Sequence, residues 1–148
     1  MAAAVEEMPQ FFPTIRDKAI ITHGDQESLT RAVELFDGYG LPNGLLPLKK
    51  IVEGGWVEET GFTWMVTEET QKHHFDKADR ECRYDELISC TISAKKMTDI
   101  HGVKAKELGL WVPINEICVD EKNPDKIIFK SIVGLSRSFP ASHFVINA

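Results

Sequence analysis

The sequence has no long apolar run, no closely paired cysteines and no excess of positive charge, and each absence excludes a class of protein. No stretch approaches the ~20 apolar residues that a transmembrane helix needs. The 17 basic residues are outnumbered by 23 acidic ones, which gives a net charge of -6. This balance argues against nucleic acid as a partner and against stable binding to an anionic membrane. We therefore expect no nucleic-acid partner and no transmembrane segment.

The cysteines are few and irregularly spaced, at Cys82, Cys90 and Cys118. An odd number without a CxxC pair indicates neither a disulfide framework nor a zinc site. Free thiols are typical of a reducing compartment. The first 14 residues also lack the apolar core of a secretory signal. Together these features predict a soluble, cytoplasmic protein.

The length and composition are typical of one globular domain. With 148 residues, of which 43% are hydrophobic, the chain can bury one core without disulfide or metal support. A flexible tail is predicted over residues 1–13 and a single domain over 14–148. Within that domain, the sequence pattern predicts helical structure over 14–38 and a β-barrel-like unit over 48–148.

The clearest helical pattern lies near the N-terminus. Leu29 and Phe36 recur at helical spacing, and Asp25 is a preferred N-cap residue. Glycines and a proline over residues 38–42 supply the signals that end a helix. These signals predict a helix over residues 25–38.

After the helix, the period of the hydrophobic residues changes to two. The clearest strand is predicted over residues 80–94, and its inward set is Cys82, Tyr84, Ile88, Cys90, Ile92 and Ala94. A turn or a single helical turn is predicted over 95–102, and a change of parity over 113–116 indicates a β-bulge. The run over 134–144 is expected to be irregular, with a short helical turn after Pro140.

The predicted strands follow one another without intervening helices, which favours an antiparallel sheet. We therefore predict a mainly β (α+β) fold. It is an antiparallel β-barrel-like sheet or two-layer sandwich of about six to eight strands, preceded by an N-terminal α-helix.

Three runs carry a family resemblance. They are GLPNGLLPL at 40–48, GVKAKELGLWVPINEI at 102–117 and GLSRSFPASHF at 134–144, with Thr60–Gly61–Phe62 and Tyr84 between them. In this order they resemble the plant family catalogued as domain of unknown function 538. The resemblance implies a β-barrel-like domain preceded by a helix and assigns no activity. The family's likeness to the lipid-binding barrels of the bactericidal/permeability-increasing protein implies an apolar ligand.

One serine-rich segment invites comparison with hydrolases. Residues 134–138 begin like a nucleophile elbow, but Ser138 occupies the position of the second glycine. His143 directly follows Ser142, and adjacent residues on a strand point to opposite faces. We assign no catalytic residue and no cofactor. A weak esterase using Ser136, Ser138 or Ser142 stays an alternative.

The histidines do not form a metal-binding pattern. His73 and His74 are adjacent and would point apart on a strand, although Asp76 could join His74 on one face. A zinc site needs three or four converging ligands. No metal site is predicted.

Aromatic residues are plentiful for one small sheet. A barrel of about eight strands can be filled by its own side chains or can hold one small ligand, and the sequence leaves both open. We predict a ligand site lined by Trp64, Tyr84, Trp111 and Phe139, with Arg137 at its mouth to bind a ligand carboxylate.

The function favoured by the sequence is therefore a soluble binder of a hydrophobic or amphipathic small molecule, lipid-like or pigment-like. The alternative is a ligand-free protein-interaction or regulatory module, which would have a filled core and an exposed apolar patch.

Overall fold

The computed structural model describes residues 12–146, with side chains from Ile15 onward. The helices are α1 (Phe12–Asp17), α2 (Gly24–Gly38) and a final 3-10 helix (Ala141–Phe144). The nine strands of this part of the chain are β1 (Ile20–His23), β2 (Ile51–Trp56), β3 (Phe62–Thr67), β4 (Gln71–Phe75), β5 (Arg80–Ser93), β6 (Lys96–Glu107), β7 (Leu110–Val119), β8 (Lys126–Ser131) and β9 (Ser136–Pro140). The tail predicted over 1–13 lies outside the described residues except for its last two, which begin α1.

All nine strands belong to one antiparallel sheet. Its order is β1-β2-β3-β5-β6-β7-β8-β9, and β4 pairs with the first half of β5 beyond the end of β3. The predicted class, mostly antiparallel β with a preceding helix, is confirmed. The expected barrel is wrong, because within residues 12–146 the edge strands β1 and β9 do not pair with each other. A barrel closes only when its first and last strands share a ladder.

The sheet is nevertheless strongly curled. Arg137 on β9 contacts Glu107 on β6, three strands away in the sheet, and Arg80 on β5 lies over the ring of Phe139. The main core fills the enclosed space. Phe36 of α2 and Phe144 of the 3-10 helix pack into it beside the inward residues of the strands. α2 and the 3-10 helix therefore fill part of the space that a closed barrel of strands would enclose.

A second, smaller core lies on the opposite face of β2 and β3. Its buried residues are Val57, Trp64 and Val66, and Ile15 and Ala19 at the end of α1 pack against it. Met65 points the other way, into the main core. The centre of β3 is thus buried on both faces, whereas β8 alternates between buried and more exposed positions.

The predicted alternation of β5 is confirmed except at Ala94, which lies in the turn after the strand and is exposed rather than inward. Cys82, Tyr84, Ile88, Cys90 and Ile92 are all buried in the main core. The predicted bulge is also confirmed, because the pairing of β7 with β8 shifts between Ile114 and Glu116. Where a strand has one buried face, the polarity pattern specifies its register strongly.

The helix predicted over 25–38 is confirmed, but its start differs in detail. Asp25 is not the N-cap residue, since His23 occupies that position. The Asp25 carboxylate instead accepts hydrogen bonds from the backbone N–H groups of Ile51, at 2.6 Å, and Lys50, at 3.3 Å. At the other end, Gly40 takes a left-handed φ of 74°, and the Leu41 N–H donates to Phe36 O at 2.8 Å. This is a Schellman ending.

Three segments differ from the sequence prediction. Residues 20–23, expected to be helical, form β1 because the β-branched run Ile20–Thr22 pairs with β2. Of the turn expected over 95–102, only Lys95 lies in a turn, since β6 begins at Lys96. Residues 136–140 form β9 rather than an irregular segment because they pair with β8, and the helical turn after Pro140 is confirmed.

Candidate functional site

Two small apolar clefts open into the main core. The α2 cleft lies between α2 and strands β2, β3 and β5, with a volume of about 40 Å³. The β9 cleft lies at the other side of the core, between β5, β6, β7, β8 and β9, with a volume of about 30 Å³. Ligand pockets for drug-sized molecules typically have ~300–1,000 Å³. As they stand, the clefts accommodate only a few water molecules each.

The α2 cleft is lined partly by polar groups that bond to each other. The hydroxyls of Thr22 and Ser28 are 2.8 Å apart and both residues are buried. Trp56 also lines this cleft, and its buried indole nitrogen has no hydrogen-bond partner. An unpaired buried donor beside a water-sized space is a place for one ordered water.

The floor of the β9 cleft is aromatic. Phe129 lies 5.1 Å from Phe144 and 5.8 Å from Phe139, measured between ring centroids, and Phe139 lies 5.9 Å from Phe144. These spacings fall in the range favoured for aromatic pairs. Cys82 and Ile114 complete the apolar lining.

The mouth of the β9 cleft carries two arginines and one glutamate. Arg137 donates from Nε to Glu107 Oε1 at 3.1 Å and from Nη2 to Oε2 at 3.3 Å. Arg80 lies over Phe139, with its guanidinium carbon 5.7 Å from the ring centroid. The Arg80 Nε is buried and has no hydrogen-bond partner. The lining of the cleft therefore includes one arginine whose buried Nε donor has no hydrogen-bond partner.

The five residues predicted to form one ligand site do not come together. Phe139 and Arg137 both line the β9 cleft. Trp64 lines the α2 cleft. Tyr84 and Trp111 line neither cleft.

Tyr84 and Trp111 have structural surroundings instead. Tyr84 is fully buried and its hydroxyl donates to Leu45 O at 3.1 Å, which ties β5 to the segment that follows α2. Burial raises the pKa of Tyr84 well above its ordinary value. Trp111 is half-buried on β7, and the Lys106 ammonium lies 5.5 Å from its ring centroid.

Trp64 belongs to a polar network on the α1 side of the sheet. Its indole nitrogen donates to Glu53 Oε2 at 3.0 Å, and Arg16 of α1 forms two hydrogen bonds with the same carboxylate. Burial raises the pKa of Glu53, but the bonds from Arg16 and Trp64 outweigh it, so the net pKa lies below the ordinary value of 4.5. The carboxylate is therefore charged at neutral pH.

The cysteines are poor nucleophiles in this fold. All three are free and buried. Burial raises the pKa of Cys82 to about 11 and that of Cys90 to about 12. Since the thiolate is the reactive form, both thiols are unreactive at neutral pH.

The serines and histidines do not assemble a hydrolytic site in the described part of the chain. Among residues 15–146, no serine hydroxyl forms a hydrogen bond with an imidazole nitrogen. The buried Nδ1 of His143 has no partner. Activation of a serine requires a base within hydrogen-bond reach, so we do not propose the esterase.

The adjacent histidines His73 and His74 lie on β4, in the β4–β5 hairpin. His74 bonds Asp76 through Nδ1 and Asp79 through Nε2, each at 3.0 Å. These two hydrogen bonds raise the pKa of His74 above its ordinary value. Over residues 12–146, no group of three His, Cys, Asp or Glu side chains converges for a metal ion.

Sequence reasoning missed Arg80, Glu107 and Phe144 as residues of the β9 cleft. Arg80 begins a strand whose alternation indicated the inward face, but that pattern says nothing about β9, which lies far along the chain. Phe144 lies in the 3-10 helix, where no β alternation applies. Only the curl of the sheet places these residues around one space.

The comparisons with known proteins give a family and no function. The family model described as "Protein of unknown function, DUF538" matches residues 32–145. Neither a curated protein nor a solved structure matches the chain. Because the family model covers most of the sequence, the chain belongs to this family. Within residues 12–146, no helix has the length and hydropathy of a membrane-spanning segment.

Proposed function

We propose that this member of the family binds one amphiphilic molecule with an anionic head group, such as a long-chain carboxylate, in the β9 cleft. The head group binds Arg80 at the mouth, and the alkyl chain packs against Phe129 and Phe139. The proposal makes the protein a soluble, cytoplasmic carrier, and its three free, buried thiols are in keeping with a reducing compartment.

The observation that carries the proposal is the unpartnered Nε of Arg80. A buried guanidinium N–H without an acceptor is costly, whereas a charge-assisted hydrogen bond to a carboxylate is among the strongest available. The residues around Arg80 in the cleft supply apolar contacts for a hydrocarbon chain. None of them accepts a hydrogen bond from the Arg80 Nε. A carboxylate would satisfy the donor, and its chain would fill the cleft.

The second support is that one residue of the mouth lies on an edge strand. Arg137 belongs to β9, an edge strand whose outer ladder positions are unpaired within the described residues. In its ion pair with Glu107, the Arg137 side chain is 43% exposed and can turn to solvent, whereas the Glu107 side chain is 13% exposed. With a volume of about 30 Å³, the cleft admits an alkyl chain only if β9 and residues 132–135 move outward. Binding is therefore expected to separate Arg137 from Glu107.

A titration by native mass spectrometry tests the proposal with dodecanoate and, as a neutral match, dodecanol. We expect a 1:1 complex with dodecanoate that is at least about tenfold tighter than any complex with dodecanol. Arg80→Gln should reduce dodecanoate affinity by about tenfold or more. Lys106→Gln is the matched control, because Lys106 is a cation on a neighbouring strand that does not line the cleft.

Absence of a dodecanoate complex would contradict the proposal, and so would equal binding by wild type and Arg80→Gln. The same instrument can examine protein purified from its own source, where a copurified molecule should carry an anionic group and a hydrocarbon chain.

The second candidate, a ligand-free interaction module, is favoured by a different observation. The two clefts are nearly filled, and several large aliphatic residues are exposed on turns. If the protein from its own source is free of ligand and dodecanoate does not bind, this candidate replaces the first.

A further inference from the structure

Three strands have a single neighbour in the sheet, and they differ in how their free edges are protected. Among residues 12–146, β1 pairs only with β2, β4 only with β5 and β9 only with β8. Natural sheets protect such edges with charged residues and proline. β4 contains Lys72, and β9 contains Arg137 and Pro140. β1 has the sequence IITH, without lysine, arginine, acid or proline, and its Ile20 is 43% exposed, so this edge can accept a further strand.

A groove runs beside the free edge of β1. α2 begins at Gly24, directly after β1, and the strand and the helix form the two walls of the groove. The helical wall contains Glu27, Thr30, Arg31 and Glu34, which recur at helical spacing and therefore share one face. The groove has a volume of about 850 Å³, compared with about 40 Å³ for the α2 cleft. A four-residue strand is ~13 Å long, so an extended segment of similar length can lie along β1.

The lining of the groove is acidic. It includes Asp25, Glu27 and Glu34, whereas Arg31 is the one lysine or arginine among the described residues that line it. Arg31 Nη1 lies 3.6 Å from Glu34 Oε2, so this cation already has an anionic partner. Glu27 is exposed on the helical wall. Two negative charges therefore remain in excess, and an extended partner with lysine or arginine side chains would complement them.

A second observation, independent of charge, lies where the groove meets the α2 cleft. Ile20, Thr22 and Arg31 line both spaces, so the groove continues into the cleft. Trp56 lines the cleft and is only 9% exposed, and its indole N–H has no hydrogen-bond partner in the described part of the chain. A buried donor without an acceptor is costly. A partner at the mouth of the cleft could supply the acceptor, directly or through one ordered water.

We propose that β1 binds an extended, basic segment of a partner protein, which adds to the sheet as a further strand in the groove beside α2. Backbone hydrogen bonds to the free edge of β1 supply affinity in this mode of recognition. Side chains alternate along a strand, so every second residue of the segment faces α2. Lysine or arginine at those positions would meet Glu27 and Glu34. The expected segment therefore has basic residues at alternate positions, separated by uncharged β-branched residues.

This site is separate from the β9 cleft. β1 and β9 lie at opposite ends of the strand order, and no residue lines both the groove and the β9 cleft. The inference goes beyond the proposed ligand binding and does not depend on it. It gives the protein a partner of defined chemistry whether or not the β9 cleft holds a carboxylate.

Fluorescence anisotropy with the labelled peptide TKVKVKT tests the proposal. We expect 1:1 binding by wild type and at least about tenfold weaker binding of TEVEVET, in which glutamate replaces each lysine. The lysine peptide methylated on its three central backbone nitrogens should also bind at least about tenfold more weakly, because those nitrogens can no longer donate to the edge of β1. Hydrogen exchange of the β1 amides should slow when the unmethylated peptide binds.

A pair of matched variants tests the acidic wall. Glu27→Gln/Glu34→Gln should bind TKVKVKT at least about fivefold more weakly, because the charges that face the lysines are lost. The control is Glu86→Gln/Glu121→Gln, which removes the same charge at two glutamates that do not line the groove, and it should bind as wild type does. Arg80→Gln should also bind the peptide normally, so failure of carboxylate binding and failure of peptide binding are distinguishable.

Three results would overturn the inference. They are no binding of TKVKVKT by wild type, equal binding of the methylated peptide, and equal binding by the two glutamate variants. Equal binding of the methylated peptide would mean that charge alone attracts it, without strand addition. Light scattering addresses a second copy of the chain as the occupant: a wild-type dimer that the peptide dissociates would assign the edge of β1 to self-association instead.

Discussion

The pairs Arg16–Glu53 and Arg137–Glu107 have the same chemistry but lie in differently built halves of the sheet. Each arginine meets a glutamate through two nitrogens. Around Glu53 both faces of the sheet are covered, and Trp64 donates a third hydrogen bond. Glu107 lies at the open mouth of the β9 cleft, and its partner is on an edge strand.

This difference divides the sheet into a scaffold half, formed by β2 and β3, and a second half, formed by β6 to β9, whose surface can change. In the half formed by β2 and β3, α1 and α2 cover opposite faces, so a local opening would expose two cores at once. In the half formed by β6 to β9, one face is buried and the turns at one end carry exposed apolar residues. Motions that admit ligands are expected in elements with few buried contacts.

The largest expected effect is that of Gly55→Ala in the scaffold half. Gly55 pairs with Trp64, and an added Cβ would lie 2.1 Å from Trp64 Cζ2. Because the Trp64 indole is buried and bonded to Glu53, it cannot move aside easily, and we expect a loss of about 3 kcal/mol in the free energy of unfolding. Urea denaturation measures it. Gly38→Ala, where an added Cβ meets nothing within 4 Å, is the control and should change stability by less than about 1 kcal/mol.

Glu53→Gln should have the next largest effect. Removing the charge weakens the hydrogen bonds that Glu53 accepts from Arg16 and Trp64, so we expect a loss of about 2 kcal/mol at pH 7. Glu107→Gln is the matched change in the other half and should cost less, about 1 kcal/mol, because its arginine is more exposed and Glu53 also accepts a bond from Trp64. Equal losses in the two variants would contradict the distinction between the halves.

The contribution of Glu53 to stability should also depend on pH. The folded-state pKa of Glu53 lies below its ordinary value of 4.5, so the stabilisation is fully present above pH 4.5. It is lost as the pH falls through the lowered folded-state pKa. The difference in unfolding free energy between wild type and Glu53→Gln should therefore shrink below pH 4.5. A difference that stays constant down to pH 2 would show that the charge is not its source.

Arg137→Gln should have a small effect on stability. The pair with Glu107 is partly exposed, so we expect at most about 1 kcal/mol, and less at high salt because exposed ion pairs are screened. Thermal unfolding at two salt concentrations measures this. A larger loss that does not respond to salt would mean that Arg137 holds β9 in place as firmly as Arg16 holds α1.

The smallest effect is expected at the exposed β6–β7 turn. Leu108 is nearly fully exposed, so Leu108→Ala should change the unfolding free energy by no more than about 0.5 kcal/mol. Ile127→Ala on β8, at a fully buried position of the same half, should cost about 3 kcal/mol. A substantial loss at Leu108 would indicate that this exposed side chain has a role in folding.

Local patterns in the sequence determined the elements with one buried face. The alternation of β5, the periodicity of α2 and the parity change in β7 each report which side chains face the core, and the structure agrees at all three. Short elements were missed because β1 and β9 owe their strand conformation to pairing with β2 and β8. Their own residues contain too little pattern to predict a strand.

The sequence by itself determined the family and the mostly β class, and of the five site residues it predicted, Phe139 and Arg137 lie along the β9 cleft. Only the tertiary structure decided that the sheet stays open, that Tyr84 bonds Leu45, and that Arg80 reaches the same cleft from a distant strand. The physical reason is that side-chain periodicity specifies the face of a strand. The curvature of the sheet, which brings distant strands together, depends on packing summed over all strands and helices.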